Sequence, residues 1–101
     1  MPTPLDPTQL AAALQRLPGW QQRDNALVRT WRFATFLDAM AFMADAAPEI
    51  DRLGHHPDWS NCYDRVVVRL TTHDAGDRVT AGDVALAKVL DWVAARHEGG
   101  G

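Results

Sequence analysis

Cysteine is almost absent from this chain of 101 residues: Cys62 stands alone, which excludes a disulfide framework and a zinc site built from several thiolates. A reducing, cytoplasmic setting is the expectation that follows. Excess positive charge is missing too. Ten Lys and Arg against thirteen Asp and Glu leave a net charge of -3, so the balance gives no reason to expect nucleic acid or an anionic membrane as partner. Long apolar runs are lacking, and none approaches the roughly 20 residues that cross a bilayer. Residues 1–17 carry no basic start followed by an apolar run, so no secretory signal is expected. A glycine-rich phosphate loop is also missing; the nearest candidate, Asp74-Ala75-Gly76-Asp77, is acidic and would repel phosphate. What is present, 47% hydrophobic and 23% charged residues, is the composition of a globular domain. The expectation is one domain over residues 1–101, fraying at 1–5 and 98–101.

Asp6-Pro7 with Gln9 is an N-cap, a first-turn proline and a capping-box partner, so a helix begins there. Leu10, Leu14 and Leu17 continue it at helical spacing until Pro18-Gly19. Trp20 to Arg23 and Leu27 to Phe33 flank Asp24-Asn25-Ala26 and predict a hairpin. Thr35 caps a second helix, with an expected buried stripe of Phe36, Met40, Met43, Ala44 and Ala47, a kink or restart at Pro48, and an end at Gly54. Trp59 to Tyr63 and Val66 to Thr72 predict a second hairpin, in which Val66, Val68 and Leu70 share one face. Thr80 and Asp83 start a last helix, whose apolar face is Leu86, Val89, Leu90 and Val93. The order is αββαββα: an α+β domain with a four-stranded antiparallel sheet and three helices on one face.

Chemistry concentrates in the histidines. His55 and His56 follow a helix end, and His73 follows the other strand of the same hairpin, so antiparallel pairing is expected to bring all three to one sheet edge. Imidazole gives and takes protons near neutrality. Beside Pro57 and Trp59 such a trio offers acid, base and an apolar wall for a flat heterocycle. Solvated loop histidines are the plain alternative. A metal site completed by Asp51 or Asp74 is another, though adjacent histidines rarely converge and no helix-borne ligand pair is spaced for it. His97 fits a cation at a helix end, Cys62 a structural thiol in a strand, and Asp83 a helix cap.

Asp51, three residues, His55-His56-Pro57, five residues, Tyr63, nine residues, His73, nine residues and Asp83 form a spaced set. The set resembles the signature of the pterin-4a-carbinolamine dehydratase family. Trp20, Trp59 and Thr71-Thr72-His73 are similar to that family as well, and the resemblance runs from about Leu17 to Val93. Asp51 stands where many members carry Glu.

The resemblance implies a hydro-lyase that dehydrates 4a-hydroxytetrahydrobiopterin, the carbinolamine released by aromatic amino acid hydroxylases, to quinonoid dihydropterin. It implies no metal and no cofactor, with His55, His56 and His73 catalytic. Pterin contacts would come from Gly54, His55, His56, Thr71, Thr72, His73 and Asp74, and support from Asp51, Pro57, Trp59 and Asp83. Family members pair into dimers or tetramers, so a homo-oligomer is expected, with no nucleic acid and no membrane partner. Some members instead act without catalysis, as dimerisation or assembly partners of other proteins, and that is the competing reading; a small metal-binding protein is the third.

Overall fold

The computed structural model describes residues 2–98, so the expected fraying at residue 1 and at 99–101 lies outside the described residues. Helix α1 spans Pro7–Gln15; β1, Gln21–Arg23; β2, Ala26–Arg32; α2, Phe36–Leu53; β3, Asp58–Cys62; β4, Arg65–Leu70; and α3, Ala81–Ala95, with a single 3₁₀ turn at His73–Ala75 before α3. The strands form one antiparallel sheet in the order β1-β2-β4-β3. This is the α+β arrangement expected from the sequence.

Register decides which residues face the helices. Leu27 pairs with Leu70, Arg29 with Val68 and Trp31 with Val66, while Trp59 of β3 also lies opposite Val68. Val66, Val68 and Leu70 are fully buried or nearly so, as their alternation predicts. Against this face α2 sets Phe42, whose ring meets Trp31 and Phe33 at 5.1 Å and Trp59 at 6.3 Å between centroids.

The buried face of α2 is Ala39, Phe42, Ala46 and Ile50; of the expected stripe of Phe36, Met40, Met43, Ala44 and Ala47, Met43 packs partly buried against this core and the others are corrected. Ala39 and Ala46 have no exposed surface, and their small side chains let the helix approach the sheet closely enough for Phe42 to enter the aromatic cluster. Phe36, Ala44 and Ala47 face outward. Pro48 does not restart the helix: α2 runs as one element from Phe36 to Leu53 with the proline inside it. Pro48 is exposed, and so is Ala44, whose carbonyl loses its i+4 donor there.

Both predicted capping boxes form, at Asp6 with Gln9 and at Thr80 with Asp83. Leu5, within the segment expected to fray, donates its N–H to the Val79 carbonyl at 2.9 Å, and Pro4 bridges Thr80. At the other end of α1, the Trp20 indole N–H reaches Asp91 of α3 at 2.9 Å, and Arg29 closes on the same carboxylate at 2.8 Å. Burial pushes the Asp91 carboxyl above its ordinary range, against the opposing pull of Trp20 and Arg29. His97, expected as a helix-end cation, lies just past α3, half-buried, with Nε2 2.7 Å from Asp45 Oδ2 of α2. Cys62 lies in β3 as expected, but is exposed. Among the described residues no helix is long and apolar enough to cross a membrane.

Candidate active site

Two chain reversals build the site. Gly54 ends α2 in the left-handed region at φ 66°, where glycine pays no Cβ penalty, and the turn delivers His55, His56 and Pro57 to the start of β3. Beyond Leu70 the chain leaves the sheet through Thr71 and Thr72 into the turn that carries His73. The first turn of α3 lies between these segments and contributes Asp83.

Asp83 joins them. Its side chain is 0% exposed, and every close partner is a donor. Oδ1 lies 2.5 Å from His55 Nε2. Oδ2 accepts from Thr72 Oγ1 at 2.7 Å and from the Thr80 N–H at 2.9 Å. Thr72 Oγ1 spends its proton on the carboxylate, so in the 2.7 Å contact between the two hydroxyls Thr80 donates to Thr72, while Thr80 Oγ1 accepts from the Gly82 N–H at 3.2 Å. A carboxylate only accepts, so His55 holds its proton on Nε2, and in the neutral ring the lone pair is on Nδ1. That nitrogen borders the first turn of α3, 3.5 Å from where a Cβ on Gly82 would stand.

The other two histidines diverge from this pair. His56 turns toward Asp51, Nε2 to Oδ1 3.3 Å, with both side chains exposed. It borders a groove of about 550 Å³ whose walls include Ala44, Ala47, Pro48, Pro57 and Trp59. His73 is 91% exposed in its side chain, with Nδ1 3.1 Å from Asp77 Oδ1. The hydrogen bond to Asp77, then the charges of Asp77 and Asp74, raise its pKa above the usual histidine value.

The expected edge cluster is therefore resolved into parts. His55 and the Thr72-His73 segment come together through Asp83, while His56 stands with Asp51, Pro57 and Trp59 at the groove. Of the expected ring contacts, Gly54 and Asp74 are exposed. The Thr71 hydroxyl is committed to the Asn25 carbonyl at 2.9 Å and that of Thr72 to Asp83, so neither hydroxyl proton is free for a ligand. Several contributors were not singled out as site residues from the sequence. Thr80 was legible only as a cap, Asp77 only as part of an acidic turn, Ala44 and Ala47 were assigned to the core, and Pro48 was read only as a helix interruption. Among the described residues no group of three or more His, Cys, Asp or Glu is placed to hold a metal ion.

The histidine loops thus meet the start of α3 within an α+β domain, His55 on the buried Asp83 and Thr72, next to His73, on the same carboxylate. The chain belongs to the pterin 4 alpha carbinolamine dehydratase family, whose profile matches residues 3–93. A protein of Opitutus terrae, named as a candidate pterin-4-alpha-carbinolamine dehydratase, is 50% identical over 96 residues, covering 92% of this chain and 99% of its own. A protein of Afipia carboxidovorans with the same name is 51% identical over 87 residues, covering 84% and 86%. Among solved structures, a transcriptional coactivator/pterin dehydratase from Brucella melitensis superposes with a TM-score of 0.87 at 38% identity, covering 91% of this chain and 99% of that one. A pterin dehydratase-like protein identified as a RuBisCO assembly factor shares the fold, with a TM-score of 0.61 at 21% identity over 74% of this chain and 86% of its own.

Proposed function

We propose that this protein dehydrates 4a-hydroxytetrahydropterins to quinonoid dihydropterins. The reaction breaks the C4a–OH bond and the N5–H bond and forms a C4a=N5 double bond, so it needs a donor for the departing hydroxyl and an acceptor for the N5 proton. The observation that carries the reading is the pairing of half-buried His55 with the buried Asp83 carboxylate, which puts the lone pair of the neutral ring on Nδ1. His55 takes the N5 proton, and the Asp83 carboxylate stabilises the imidazolium that forms. His73 is the donor: its two neighbouring carboxylates keep it protonated to higher pH than an ordinary histidine, so it delivers a proton to the leaving oxygen and water departs. His56, with Asp51, Pro57 and Trp59, binds and orients the ring. Since aromatic amino acid hydroxylases release such carbinolamines, the proposed role is recycling of a tetrahydropterin, with His55, His56 and His73 as the catalytic set.

Dehydration is followed by the absorbance of the quinonoid product, with the uncatalysed rate subtracted. His55→Ala and His73→Ala are each expected to lower the catalysed rate by about a hundredfold or more, the contribution of one positioned proton carrier, with little change in Tm. Wild-type protein that adds nothing to the uncatalysed rate would overturn the reading in favour of a binding module on the same fold, a use of this architecture that the RuBisCO assembly factor exemplifies.

A further inference from the structure

The groove beside His56 has a chemical character of its own. Its lining joins the exposed outer face of α2, at Ala44, Ala47 and Pro48, to His56, Pro57 and Trp59. No lysine or arginine lines it. Asp51 is its one carboxylate, and Asp45 and Glu49 stand on the same helix. The nearby cation on α2, Arg52, is held in an ion pair by Glu49. At about 550 Å³ the groove holds more than a two-ring heterocycle.

In a pterin carbinolamine, C6 is bonded directly to N5, the atom that loses the proton. Whatever C6 carries must therefore leave the ring close to the histidines. Resting on the dehydratase reading, we propose that the groove beside His56 receives the C6 substituent and selects substrates by it, accepting short neutral substituents and disfavouring those that end in an anion such as a phosphate monoester. Apart from His56, whose Nε2 is turned to Asp51, and the indole of Trp59, the lining gives a phosphate no side-chain donor to replace the water it sheds, and Asp51 repels it. A methyl or dihydroxypropyl group meets neither obstacle.

The test uses the full chain and three carbinolamines generated in the assay: 6-methyl, 6-dihydroxypropyl, and a 6-substituent ending in phosphate. The two neutral substrates are expected to agree within about threefold in kcat/KM, and the phosphate substrate to fall at least tenfold below them, mainly through KM. In Ala44→Lys, a change at an exposed helix position, the ratio of phosphate to neutral kcat/KM is expected to rise at least threefold. Raising the ionic strength on the wild-type protein provides a measurement independent of any variant, and the gap is expected to narrow as the Asp51 charge is screened. Equal kcat/KM for all three substrates, preference for the phosphate, or a gap indifferent to both lysine and salt would overturn the groove's role while leaving the dehydratase reading intact. Turnover of none of the three would overturn both.

Discussion

Asp83 shows how one side chain serves fold and site together. As the third residue of α3 it accepts the Thr80 N–H, which any capping-box residue does, and with its other oxygen it fixes the tautomer of a histidine 28 positions earlier in the chain. His73 lies at the opposite extreme, exposed and ordered by its acidic neighbours alone. This difference makes its titration readable. Because Asp77 and Asp74 raise its pKa, the folded state binds the His73 proton more tightly than the unfolded chain. The stabilisation is fully present below the ordinary histidine value and is lost as pH rises through the raised one. Asp77→Asn removes the largest cause. The variant is expected to lower the His73 pKa toward the ordinary value, read by NMR of the ring protons, and to pull the basic limb of the pH–rate profile down with it. A limb that stays in place while the His73 titration moves would remove His73 from the donor role.

At the scale of elements, short-range signals were readable and the rotation of α2 was not. Caps at Asp6, Thr35 and Thr80, the turn at Asp24-Asn25 and the αL end at Gly54 follow from residue type within a few positions, and each stands where the sequence places it. The expected helix face is rotated from the observed one because hydrophobicity favours Phe36 and Met40, whereas close packing favours the small Ala39 and Ala46 around Phe42, and only the sheet's shape decides between them. The site divides the same way. The spacing from Asp51 to Asp83 named candidates, but the pairing of His55 with Asp83, and of His56 with Asp51 instead, depends on how α2 and α3 meet. Pro48 tests the packing account. α2 continues through it because the helix is held by its buried face, so the missing N–H lowers stability without breaking the element. Pro48→Ala restores the bond to the Ala44 carbonyl and is expected to raise stability by about 1–3 kcal/mol in chemical denaturation, with helix content unchanged by circular dichroism. A loss of stability would show instead that the proline fits the helix at this position and that its restriction of the unfolded chain dominates.

The whole molecule leaves a sheet edge to account for. In the order β1-β2-β4-β3 the outer strands are β1, three residues long, and β3, five residues long, and β3 spans Asp58–Cys62 without a lysine or proline to blunt it. Each edge strand presents unpaired backbone donors and acceptors, and pairing with an identical strand about a two-fold axis satisfies them with no new sequence requirement. Leu37, 74% exposed, and Trp92, 62% exposed, are apolar surface open to a second chain. β3 begins directly after His55-His56-Pro57, so strand pairing there would also brace the loop that carries two of the site histidines. Sedimentation velocity at micromolar concentration is therefore expected to give a species at least twice the 11.2 kDa chain mass. Ser60→Pro, placed midway along β3, is expected to shift that species toward monomer and to lower dehydratase activity with it. A wild-type monomer at every concentration, fully active, would show that the β3 edge is tolerated bare and that the His55–Asp83 network alone holds the loop in place.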